Sequence, residues 1–184
     1  MTSTEKYLAH LERVFEQEPE FLKEESLQEG MPGVSSLVFN HRPESEMMTT
    51  VTYGLSLGEH PDWKFGRPEL LLCVDSREKA WTQIAGYVAN QLRGKCPFTY
   101  GLTINFRNQI APDSDMDAFL IFAPAILNKA DYLRIDIGLA YAISIAGLYP
   151  IYSSEISFIN TKGLERFWKH PAFDLFNVNR KPIA

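Results

Sequence analysis

Cysteine is scarce in this chain, with two in 184 residues, which excludes a small fold stapled by a disulfide framework. Cys73 stands inside the apolar run Leu70-Leu71-Leu72-Cys73-Val74, where a thiol acts as a small hydrophobe. Cys96 lies just past an expected helix. A bond between the two is open on paper, and free, reduced thiols are the expectation. Histidine is also rare. His10, His41, His60 and His170 share no ligand spacing with one another or with a cysteine or acid that would complete a site, so no metal is expected. A basic excess is missing as well: 18 Lys and Arg face 23 Asp and Glu, for a net charge of −5. A nucleic-acid binder would show a basic stripe, so no nucleic-acid partner is expected. No apolar run approaches the roughly 18 residues that span a bilayer. The start, Thr2-Ser3-Thr4-Glu5-Lys6, is too polar for a signal peptide. The expectation is a cytoplasmic protein without a membrane partner.

The familiar catalytic signatures are missing too. No Gly-x-Ser-x-Gly elbow occurs; Tyr53-Gly54-Leu55-Ser56-Leu57 comes nearest but lacks the second glycine. No phosphate-cradling Gly-Lys-Ser/Thr occurs, so no nucleotide cofactor is expected. Asp113, Asp115 and Asp117 alternate as in a calcium loop, without its glycine and distal glutamate. They read as a solvated turn. Among the isolated acids, Glu69 stands out. It lies inside an apolar run and needs a partner, with Arg67 and Arg107 as candidates.

Twelve Phe, eight Tyr and three Trp, within 45% hydrophobic residues, supply a core. A chain of this length fits one domain and buries roughly 70% of its unfolded surface. Leu8, Leu11, Val14 and Phe15 recur at helical spacing, which predicts a helix over 4–18, ended by Pro19. An acidic segment, Glu20 to Leu27, extends this N-terminal helical region to residue 29. Strands are expected at Val34–Asn40, Met47–Leu57 and Pro68–Val74, the last buried on both faces. Trp81, Ile84, Ala85, Val88 and Leu92 form the stripe of a central helix, capped at Asp75 or Ser76 with Glu78 in a capping-box position, and closed by Gly94. Further strands are expected at Thr99–Phe106, Ala118–Phe122, around Arg134–Leu148, and at Phe173–Val178. Thr161 is expected to cap a final helix. One central helix among many strands predicts an α+β fold: a single domain with a mixed or mainly antiparallel sheet and helices packed on it.

Tyr53-Gly54-Leu55-Ser56, Phe65-Gly66-Arg67-Pro68-Glu69-Leu70 and Ile84-Ala85-Gly86-Tyr87-Val88 follow one another as in suppressor-of-fused-like domains. The chain resembles that family over roughly residues 30–180, which makes 30–184 the family-like domain. The resemblance implies a binding protein rather than an enzyme. Animal members grip an extended peptide of a transcription factor between two domains by strand addition. Bacterial single-domain members resemble immunity proteins that neutralise a cognate toxin. This chain is similar in size to the single-domain kind. It departs from the animal pattern at Leu102, where an acid would follow Gly101. The resemblance implies a non-catalytic module that binds another protein, a toxin encoded nearby or a non-toxin regulatory target. Tyr53, Glu69, Tyr87, Gly101 and Glu155 are its candidate partner-binding residues. The competing reading is an enzyme with a dispersed site of Glu69, Tyr53 and Glu155.

Overall fold

In the computed structural model, which describes residues 1–183, the strands form one seven-stranded sheet. The chain runs α1 (Ser3–Phe15), β1 (Glu20–Glu24), β2 (Val34–Asn40), β3 (Met48–Tyr53), β4 (Arg67–Val74), α2 (Ala80–Leu92), β5 (Thr103–Asn105) and β6 (Ala118–Phe122). It ends with α3 (Lys129–Tyr132), β7 (Ile143–Ile151), α4 (Ser153–Lys162) and α5 (Leu164–Trp168). The sheet order is β1-β2-β3-β4-β7-β6-β5. Every neighbouring pair is antiparallel except β4 and β7. The sheet is thus mixed and mainly antiparallel, in a single α+β domain, as expected.

Two-residue alternation explains how continuous apolar runs serve such a sheet. In β4, Leu70, Leu72 and Val74 join the core under α2, while Leu71 and Cys73 join the core under α1. Strand β7 follows the same rule. Ala146 and Leu148 face α2, whereas Ile143 and Ile145 face α1, and Tyr149 and Ile151 face the α4–α5 layer. Helix α2 therefore covers one face, and α1 with α4–α5 covers the other. Fully burying each Leu, Ile or Phe contributes roughly 1.5–3 kcal/mol.

Several local expectations are corrected. Helix α1 stops at Phe15, where Glu16 turns left-handed with φ 52°; it starts with a capping box between Thr2 and Glu5. Glu20–Glu24 is an edge strand and not part of a helix, because Leu22 alternates into the α2 core. Helix α2 begins at Ala80 without a side-chain cap. The Ser76 hydroxyl accepts from the Glu78 N–H and donates to Asp113. The alternating stretch 134–148 is split by a turn at Gly138, φ 78°. Ile135 there makes only an isolated bridge to Ile143. Phe173–Val178 forms no strand, although the Phe176 carbonyl accepts from the Asp75 N–H at 2.8 Å. Thr161 caps nothing, its hydroxyl donating back to the Ser157 carbonyl within α4. Asp113 and Asp117 are not a solvated turn. Asp113 accepts from the Trp81 indole at 2.9 Å, and Asp117 accepts from the Ser153 N–H and hydroxyl at the start of α4.

Candidate protein-binding edge

An open sheet has two edges, and here they differ in chemistry. Edge β1 carries Glu20, Lys23 and Glu24 within five residues, and charges of this kind discourage another strand from docking. Edge β5 reads Thr103-Ile104-Asn105, with no charge. The ladder fixes which of its backbone groups are free. The Leu102 carbonyl accepts from the Ile121 N–H, and the Phe106 N–H donates to the Asp117 carbonyl. Leu102, Ile104 and Phe106 therefore point their main-chain groups at β6, and Thr103 and Asn105 point theirs outward.

The side chains beside this edge are apolar on the α2 side. Leu102, Ile104 and Phe106 pack half-buried against the α2 core. Tyr87, 41% exposed on α2, meets the Phe106 ring edge-on at 6.0 Å. Phe106 in turn meets Phe119 at 5.8 Å. At the other end of β5, Gly101 takes φ 91° and donates to the Ile121 carbonyl at 2.8 Å. Only glycine accepts that conformation without strain.

The structure brings Tyr87 and Gly101 to opposite ends of β5 and leaves the other candidates elsewhere. Tyr53 lies on the α1 face, 5.2 Å from the Tyr7 ring, and accepts from the Thr4 hydroxyl. Glu69 is fully buried, and neither Arg67 nor Arg107 is its partner. It accepts from the Thr52 hydroxyl (2.6 Å), the Gly54 N–H (2.9 Å), and the Ser56 N–H and hydroxyl (3.0 and 2.7 Å). Burial still pushes its carboxyl above the ordinary value, against the lowering effect of those donors. Glu155 is buried against Arg180 at 2.6 Å, and also accepts from the Tyr152 and Ile183 N–H groups. Both carboxylates serve the fold, and Glu155 stands apart from Glu69 and Tyr53. Among the described residues, no three of His, Cys, Asp and Glu group as metal ligands.

Four residues escaped sequence reading. Arg93 is fully buried, donating to the Pro32 and Gly54 carbonyls and the Ser26 hydroxyl; a charge just past a helix stripe reads as exposed. Phe65, 91% exposed, gave one signal, an aromatic in a polar turn-rich loop. Tyr100 and Leu133, both exposed, gave none.

A Suppressor of fused protein (SUFU) family model matches residues 30–181. The chain belongs to that family. Among solved structures it is similar to a SUFU homolog from Neisseria gonorrhoeae FA 1090, at 18% identity and TM-score 0.73, covering 98% of this chain and 96% of that one. It is also similar to a chain of the Sufu–Fu complex, at 13% identity and TM-score 0.63, covering 98% and 91%. Drosophila Suppressor of Fused matches at 11% identity and TM-score 0.68, covering 97% of this chain but 50% of that one. No curated protein sequence matches the chain. At these identities the structural likeness concerns the fold. The suppressor of fused family is one of binding and regulatory proteins, which agrees with a non-enzymatic reading. Among the described residues, no helix is long and apolar enough to cross a membrane.

Proposed function

We propose that this chain is a non-catalytic, cytoplasmic protein-binding module that takes an extended segment of its partner as an added strand on β5. The observation that carries this is the uncharged β5 edge, with the backbone groups of Thr103 and Asn105 turned outward beside exposed Tyr87. Main-chain pairing supplies affinity in such complexes, and flanking side chains supply selectivity. A structural relative caught in the Sufu–Fu complex supports a protein as the partner. The family resemblance suggests a cognate toxin as that partner. A non-toxin regulatory target fits the same edge.

The test starts with the partner captured by the tagged chain in its native cells, then measures affinity with purified proteins. Thr103→Pro removes an outward N–H without touching the β6 ladder. It is expected to weaken binding by about tenfold or more, equivalent to about 1.4 kcal/mol. Lys23→Ser on the opposite edge is expected to leave it unchanged. Equal binding by wild type and Thr103→Pro would sink the proposal. Killing by a toxin encoded beside this chain, relieved by the wild type and not by Thr103→Pro, would name the partner class.

A further inference from the structure

A groove of about 410 Å³ opens where the first residues of β4 and β7 meet the loop leading into β5. Trp63 and Phe65 form one wall, Pro97 and Tyr100 another, with Leu133 at the rim and Ala146 at the floor. Phe65 is 91% exposed, Tyr100 47% and Leu133 39%. Three large apolar side chains thus face solvent around one concavity, an arrangement that marks interaction surfaces.

The groove is preformed. The Trp63 indole donates to the Pro97 carbonyl at 2.9 Å, tying the two walls together. The loop bearing Phe65 is pinned at its base, where the Arg67 guanidinium donates to the Ser56 and Gly58 carbonyls at 3.2 and 2.8 Å. Arg67 also stacks over the Tyr141 ring at 4.0 Å. The charges lining the groove are Asp62, Lys64 and Arg67. Arg67 is engaged as above, and Asp62 and Lys64 carry opposite charges that sum to zero. Such a lining selects its occupant by apolar shape.

The groove is also continuous with the β5 edge. Tyr100 forms its wall, Gly101 makes the turn, and Thr103 is the first residue whose backbone faces outward. Those three steps cover at most roughly 10 Å of extended chain. A segment paired with Thr103 and continuing past Gly101 arrives at Tyr100.

We propose that the groove between Phe65, Tyr100 and Leu133 receives a bulky apolar anchor, aromatic or leucine, from the same peptide that pairs with β5. The inference rests on the β5 reading and adds a second recognition element. The partner segment is bipartite: a short strand, then an anchor about three residues beyond it.

The test uses random displayed peptides of about ten residues, long enough for both elements, selected against the full chain. Enriched peptides are then made synthetically and their affinities measured. Peptides carrying a Phe, Trp or Leu anchor a few residues from a strand-forming stretch are expected. Phe65→Ser and Leu133→Ser should each weaken them about tenfold, as substitutions at an interface centre do. Replacing the anchor by alanine should cost about the same, and combining it with Phe65→Ser should cost little more. Phe65 is so exposed that its variant should keep the wild-type melting temperature, which is checked alongside. If Thr103→Pro abolishes binding while Phe65→Ser and Leu133→Ser leave it within about twofold, the anchor proposal falls and the β5 reading stands. Binding that ignores Thr103→Pro overturns both, as does a selection that enriches nothing.

Discussion

Glu69 and Arg93 hold Gly54 from its two ends. The Gly54 N–H donates to Glu69 Oε1 at 2.9 Å, and the Gly54 carbonyl accepts from Arg93 Nη1 at 2.9 Å. Both charged residues are fully buried. One peptide turn therefore separates a buried carboxyl from a buried guanidinium, and each is bonded to main-chain groups. Removing either leaves buried backbone groups without partners, which costs about 1–3 kcal/mol for each group. Glu69→Ala is expected to destabilise the fold by about 3 kcal/mol or more, read as a lowered urea midpoint at unchanged slope. Arg93→Met should cost a similar amount. The double variant should cost less than the sum, because Gly54 is shared.

The same carboxyl gives a pH dependence of definite sign. Its folded-state value is raised above the ordinary 4.5. Between 4.5 and that raised value, the native state keeps a proton that the unfolded state has released. Glu69 thus contributes stability that is present at low pH and lost as pH rises through the window. Glu69→Gln has no such proton. The difference in unfolding free energy between wild type and Glu69→Gln should shift against the wild type as pH rises. A constant difference would contradict the raised value.

Gly54 and Gly101 both take positive φ, at 126° and 91°, yet they should respond differently to alanine. A Cβ at Gly54 would lie 2.6 Å from the Gly33 carbonyl oxygen, whereas one at Gly101 would find only Leu164 at 3.5 Å. Gly101→Ala should cost about 1–2 kcal/mol from backbone strain alone. Gly54→Ala adds a clash with immovable backbone and should cost clearly more. Thermal melts of the two variants decide it.

The end of the described chain is held by an ion pair. Arg180 Nη1 and Nη2 reach Glu155 at 2.6 and 2.8 Å, with side chains 4% and 0% exposed. Arg180→Met leaves the Glu155 charge buried and unpaired, at a cost of about 3–5 kcal/mol. Cleavage by a nonspecific protease in the 173–183 segment should speed up in that variant before the sheet yields.

Both thiols are free and buried, and burial pushes the Cys73 thiol up to about 12. Because the thiolate is the reactive form, Cys73 should resist a thiol reagent in the native protein. It should be titrated at once in guanidinium. Rapid native labelling at Cys73 would contradict its burial on the α1 face of β4.

The sequence by itself determined the elements whose periodicity is strong and local. The stripe from Trp81 to Leu92 marks a helix with one buried face, and the short apolar runs Leu70–Val74 and Ala118–Phe122 mark strands buried on both faces. Weakly patterned stretches were decided by tertiary contact. Glu20–Glu24 has too little apolar content to declare a strand, and becomes one because β2 offers it an edge. The order of strands, and with it the contrast between a charged edge and a bare one, depends on long-range pairing that no spacing encodes. Glu69 shows the division most clearly. Its position in an apolar run showed that it needed a partner. Only the fold showed that hydroxyls and backbone amides meet that need, because a pairing across β3 and β4 brings Thr52 and the 54–56 turn to its side. Tyr87 was legible as a helix residue. Its place beside an open strand edge, and that of Phe65 and Tyr100 around one groove, came from packing alone.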